Sequence, residues 1–144
     1  MWRGKSNASK EVPMSEYTIS INCPPVIRKV PYGLLTSNAR PHWSVAREVA
    51  RYWRHMAAVT AREAGIPKVD RGRVVVTFHK ATNRRFDPGN LSPVSKAILD
   101  GIVDAGVFED DSHEYVVGPD HRAGEKTTTP HVVIRIIELE ETTP

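Results

Sequence analysis

The sequence predicts a single α+β domain, a mixed β-sheet with two main helices packed on it. Three observations lead there. Residues 17–21, 73–79 and 131–139 alternate or are rich in β-branched residues, as strands are. Residues 42–64 and 92–105 repeat apolar residues near the helical period. The resulting order, β–α–β–α–β–β, suits one mixed sheet with helices on a face, and 144 residues are enough for one real core.

Taken in order, residues 1–15 are polar and aperiodic and are expected to be a disordered tail. They lack the apolar run of a signal peptide. The domain is expected over 16–139, with 140–144 a second tail. Tyr17-Thr18-Ile19-Ser20-Ile21 reads as a half-buried strand that Pro24-Pro25 ends, because proline cannot donate to a ladder. Residues 26–41, with Pro31, Gly33, Pro41, Arg28, Lys29 and Arg40, read as a long loop, either a connector or a functional one.

The longest helical pattern runs from His42 to Ala64 through Ala46, Val49, Ala50, Trp53 and Ala57, with Gly65 and Pro67 as its stop. Arg47, Arg51 and Arg54 share one face of it. Such a stripe is either a solvated face or a set of phosphate contacts. Arg73–His79 reads as a strand, with His79 an ordinary member of it. Ser92-Pro93 reads as N-cap and N1 of a second helix ending at Gly106. Lys96, Asp100 and Asp104 line one of its faces; Val94, Ile98, Ile102 and Ala105 line another. Tyr115–Val117 is expected as a short strand, 118–130 as a polar turn region and 131–139 as a strong strand, the two strands forming a hairpin.

Composition is that of a soluble globular chain, 40% hydrophobic and 26% charged, with no apolar run of membrane-spanning length. Cys23 is the lone cysteine, which excludes an intrachain disulfide and makes the cytoplasm the default location. The net charge of +3 is unevenly spread. Residues 1–86 carry 16 Lys and Arg against 5 acids, and residues 87–144 carry 4 against 12. A basic half suits a polyanion and an acidic cluster suits a cation, unless the two simply neutralise each other across ordinary surface.

The chemistry concentrates in 84–112. A basic run, Arg84-Arg85, precedes Asp87-Pro88-Gly89-Asn90-Leu91; Lys96, Asp100 and Asp104 follow on a helix; Glu109-Asp110-Asp111 closes the stretch. Carboxylates brought together by a packed helix are hard oxygen ligands of the kind that hold Mg²⁺ or Mn²⁺. Such a cation activates water and neutralises charge building on a phosphate, and a nearby lysine adds a point charge. Surface acids paired with local cations have the same appearance in sequence.

This stretch, Arg84-Arg85-Phe86-Asp87-Pro88-Gly89-Asn90-Leu91 with Lys96-Ala97-Ile98-Leu99-Asp100-Gly101 and Asp104-Ala105-Gly106-Val107-Phe108-Glu109-Asp110-Asp111, resembles the RusA family of Holliday-junction resolvases. Thr18–Ile21 followed by Pro24-Pro25 resembles that family's first strand. The resemblance spans most of 17–139 and is specific in 84–112. It implies a RusA-like fold and a homodimer that binds branched DNA and cuts four-way junctions with Mg²⁺, Mn²⁺ being a substitute, in bacterial or phage recombination and repair. By position, Asp87 and Asp111 match catalytic carboxylates, and Asn90, Lys96, Asp100 and Asp110 match further active-site positions. The resemblance thus casts Asp87, Asp100, Asp110 and Asp111 as metal ligands and Lys96 as catalytic. Lys80, Arg84, Arg85 and Asn90 are cast as DNA contacts, with Arg47, Arg51 and Arg54 as further candidates. The chain departs from the family pattern twice: Gly89 stands where a second aspartate is expected, and Asn90 to Lys96 is six residues rather than three. A re-formed metal site, junction binding without cutting, and an altered substrate are the three alternatives.

Overall fold

A computed structural model describes residues 13–140. It is a four-stranded mixed sheet with two helices. The strands are β1 (Pro13–Asn22), β4 (Gly72–His79), β5 (Val116–Ala123) and β6 (His131–Leu139); β2 (Val26–Ile27) and β3 (Val30–Pro31) form a small separate ribbon. The helices are α1 (Trp43–Glu63) and α2 (Ser92–Asp104). Sheet order is β1-β6-β4-β5, with β6 antiparallel to both neighbours and β4 parallel to β5. A parallel pair needs a crossover, and the segment containing α2 supplies it.

Side-chain alternation explains how the sheet faces its core. Val74, Val76 and Phe78 of β4, Val132, Ile134 and Ile136 of β6, and Ile19 and Ile21 of β1 are buried together with Val49, Trp53 and Ala57 of α1 and Val94, Ile98 and Ile102 of α2. Gly101 is where the helices meet most closely: a Cβ there would overlap the Arg54 carbonyl oxygen and the Ala57 methyl. Only hydrogen fits at that crossing. Among the described residues no helix is long and apolar enough to cross a membrane.

Several expectations need correction. The 115–117 and 131–139 segments do not form a hairpin, because β4 lies between β5 and β6. β5 also extends through 118–123, which the sequence presents as a turn. Its polar composition is tolerated at the sheet edge, where one side of the strand is unpaired. The pairing with β4 steps from Val117 to Asp120 past Gly118 and Pro119, so the proline sits at an irregularity rather than in the ladder.

Residues 26–41 are more than a loop. They hold the β2–β3 ribbon, and the buried Trp53 indole donates to the Gly33 carbonyl at 2.8 Å, tying the segment to α1. Gly33 has φ +64 and leaves no room for a Cβ against Ile27, so glycine is required there. β1 starts at Pro13, so residues 13–15 of the expected tail are strand, while residues 1–12 lie outside the described residues. At the other end Glu140 follows β6 and 141–144 lie outside.

Candidate active site

Asp87 lies late in the segment between β4 and α2. Its carboxylate accepts from Gly89 N at 3.0 Å and its carbonyl from Asn90 N at 3.0 Å, which caps a 3₁₀ turn over Pro88–Leu91. That turn runs straight into α2, so Ser92 is already helical (φ −55, ψ −32) and is not the N-cap the sequence suggests; Leu91 is, without a side-chain hydrogen bond. Asp87 does the capping five residues earlier.

Gly89 has no positive φ, and a Cβ built on it would meet only the Asp87 Oδ1, at 3.3 Å. The backbone conformation poses no barrier to a side chain here, and the Asp87 carboxylate would have to give by a few tenths of an ångström. An aspartate at 89 would place a second carboxylate beside the first.

α2 presents Lys96 one turn before Asp100. The Lys96 ammonium donates to Asp100 Oδ1 at 2.8 Å and to Asp111 Oδ2 at 2.6 Å. Asp111 arrives from the loop after the helix, held by the burial of Val107 and Phe108. Its amide donates to Asp110 Oδ1 at 2.8 Å. The hydrogen bond from Lys96 holds the Asp111 carboxyl below the usual aspartate range, and those to Asp100 and Asp111 raise the lysine. One lysine between two aspartates leaves the pair-bridged cluster net anionic, and Asp110 adds a further charge next to Asp111 in the chain. Beside it the Ser112 hydroxyl oxygen is buried with no hydrogen-bond partner among the described residues. The other members of the acidic stretch are engaged elsewhere: Glu109 with Lys68 at 2.8 Å and Asp104 with Arg54.

The opposite wall is α1. A cleft of about 360 Å³ runs between the helices, lined by Arg47, Arg51 and Arg54 on one side and by Pro93, Lys96 and Asp100 on the other. Three arginines that the helical period places on one face are thereby divided. Arg54 forms a two-point ion pair with Asp104, Nε–Oδ2 2.6 Å and Nη2–Oδ1 2.9 Å, and Arg62 donates to the Asp104 carbonyl at 3.0 Å. Its charge is neutralised, so of the expected phosphate contacts Arg54 is a helix–helix tie. Arg47 and Arg51 are exposed and have no ion-pair partner among the described residues.

The remaining candidates gather on the Asp87 side. Lys80 Nζ sits 4.4 Å from the centroid of the Phe86 ring. Lys80, Phe86, Asp87 and Asn90 line a smaller cleft with Leu34 and Thr36. The Asn90 carbonyl accepts from Ser37 N at 2.8 Å, so the 26–41 segment borders this edge. Arg84 and Arg85 are exposed on a neighbouring hollow.

The donor chemistry of Asp87, Asp100, Asp110 and Asp111 fits a hard divalent cation. As arranged, however, no three acidic or imidazole side chains among the described residues gather around one point. Lys96 stands between Asp100 and Asp111. Two features escaped the sequence reading. The buried Ser95 hydroxyl lies 2.7 Å from His121 Nε2, joining α2 to β5 beneath the site. Exposed Trp43 sits one turn before Arg47, and the i, i+4, i+8 spacing of Trp43, Arg47 and Arg51 was the signal for it. No protein-family model and no curated protein sequence matches the chain.

Proposed function

We propose that this protein is a divalent-cation-dependent endonuclease for branched DNA, a resolvase of the RusA type that works as a cytoplasmic homodimer. One observation carries this: Lys96 and Asp100 line one wall of a cleft whose other wall bears the unneutralised Arg47 and Arg51, and the Lys96 ammonium reaches from that wall to Asp111. Candidate phosphate-binding cations thus face Lys96 and Asp100 across one groove, an arrangement suited to phosphodiester cleavage. The resemblance of residues 84–112 to the RusA motif supplies the substrate class.

Asp87, Asp100, Asp110 and Asp111 are the residues that would hold Mg²⁺ or Mn²⁺, and they would have to draw together to do so, since no three of them meet as arranged. The bound cation supplies Lewis acidity and a water of lowered pKa. Lys96 orients Asp111 and carries positive charge to the scissile phosphate. Arg47 and Arg51 hold the backbone across the cleft, and Lys80, Arg84, Arg85 and Asn90 extend the track past Asp87.

Gly89 favours a second reading: with one carboxylate fewer than the family pattern, the protein binds junctions without cutting them. A labelled four-way junction and a linear duplex of equal length, incubated with Mg²⁺, Mn²⁺ or EDTA, separate the two. Paired nicks that need the cation and disappear in Asp111→Asn establish the resolvase. Selective binding with no nicks in the parent, and nicks gained in Gly89→Asp, establishes a silenced site. Equal binding of junction and duplex with no cutting by any variant rules out both.

A further inference from the structure

We propose that the N-terminal end of α1 stacks an unpaired base of a nucleic-acid strand on the Trp43 indole while Arg47 and Arg51 hold that strand's phosphates. This deepens the branched-DNA reading and rests on it, since branch points are where bases lose their partners.

Trp43 is 65% exposed, the most exposed large hydrophobic among the described residues, and the core uses none of it. Its ring lies 5.4 Å from that of His42 at a tilt of 35°, and the Arg47 guanidinium carbon lies 6.0 Å from its centroid. Trp43, Arg47 and Arg51 fall on one face of α1, about 12 Å from first to last at the helical rise.

The hollow beside Trp43 is lined by Arg28, Arg47, Arg51 and the carboxylate Glu48, and the interhelical cleft is also lined by Arg47 and Arg51. The two hollows thus share Arg47 and Arg51, which stand between the indole on one side and the Lys96 cleft on the other. Of the four arginines along it, Arg28 is paired with Glu48 at 3.1 Å and Arg54 with Asp104. The two without an ion pair among the described residues are the two nearest the indole along its own face. An exposed aromatic ring flanked by free cations is the arrangement that binds single strands: the ring takes any base by its π-face and the cations take the phosphates. A base inside a duplex has both faces covered and gains nothing from the indole. Charge thus selects a polyanion, and the ring selects its unpaired form.

The test uses the full chain with Trp2→Phe, so that emission comes from Trp43 and the buried Trp53. It is run in EDTA, where no cutting interferes. An oligo-dT of about twelve nucleotides is titrated beside a duplex of the same length and a four-way junction. Oligo-dT is expected to quench the emission and the duplex to leave it nearly unchanged. Trp43→Ala is expected to weaken oligo-dT binding roughly ten-fold, with Trp43→Phe keeping most of the affinity. The proposal is overturned if duplex quenches as strongly as oligo-dT, or if Trp43→Ala binds oligo-dT as the parent does. It is equally overturned if Trp43→Ala changes the sedimenting species, which would assign the indole to contact with a second copy. A protein that cuts junctions but is indifferent to Trp43 loses this platform and keeps its function. One that stacks oligo-dT on Trp43 yet cuts nothing keeps the platform and loses the endonuclease.

Discussion

Trp53 and Trp43 stand ten positions apart on one helix and have opposite fates. Trp53 is 0% exposed, its indole donating to the Gly33 carbonyl and its ring edge-on to Tyr52. Trp43 projects from the first turn, 65% exposed, with the His42 ring and the Arg47 guanidinium against it. The arginines divide the same way. Toward the C-terminal end Arg54 and Arg62 are both bound to Asp104 of α2; toward the N-terminal end Arg47 and Arg51 have no ion pair among the described residues. The C-terminal part of the helix ties its arginines to α2, while the N-terminal part, anchored in the core by Val49, leaves Trp43, Arg47 and Arg51 exposed. What separates them is the position of α2, which crosses α1 at Gly101 near Arg54.

Breaking the C-terminal part has the largest expected effects. Trp53→Ala leaves a cavity and an unpaired Gly33 carbonyl, and is expected to cost about 3–5 kcal/mol in urea unfolding. Gly101→Val drives side-chain atoms into the Arg54 backbone, and is expected to cost about 3 kcal/mol or to prevent folding. An unfolding midpoint near that of the parent would show that the helices are not locked there.

Removing the ion pair is milder. The Arg54 and Asp104 side chains are 54% and 37% exposed, so Arg54→Ala is expected to cost roughly 0.5–1 kcal/mol after solvent screening. Its pH signature is sharper than its size. The Arg54 hydrogen bond holds the Asp104 carboxyl below its ordinary 3.8. Stability from the pair is therefore complete above that value and lost as pH falls through the lower, folded one. Asp104→Asn should flatten this acid limb, read as a smaller difference between unfolding midpoints measured above and below pH 3.8. An unchanged limb would place the acid sensitivity elsewhere.

The N-terminal arginines should show the reverse pattern. Arg47→Ala with Arg51→Ala is expected to change stability by no more than about 0.5 kcal/mol. The same pair should reduce the salt dependence of DNA binding by about two phosphate contacts. A stability loss matching that of Arg54→Ala, with an unchanged salt slope, would erase the distinction between the two parts.

Much of the fold was legible in the residues because its signals are local. The period of α1, its stop at Gly65, the strands at 73–79 and 131–139, and the α+β class all follow from spacing and turn chemistry. The candidate site was legible only as an inventory. Lys96 and Asp100 share a helical turn and could be paired on paper, whereas the 2.6 Å contact from Lys96 to Asp111 depends on how the loop after α2 folds back. Gly89 was conspicuous as a departure, but that its backbone tolerates a side chain required coordinates.

By itself the sequence determined the two long helices and the strands at 17–21, 73–79 and 131–139, which side chains are apolar enough to form the core, and where acids and cations concentrate. Tertiary structure alone decided which strand pairs with which. β5 lies beside β4 rather than β6, because β4 fills the place between them and an edge position tolerates polar residues. It also decided which arginines remain available. Arg54 and Arg51 differ little in local sequence. One is neutralised by an aspartate 50 positions away because the helices cross there; the other is left to face the groove. Periodicity is set by bonds between near neighbours, while the charge a side chain presents depends on groups that only the closed chain brings within reach.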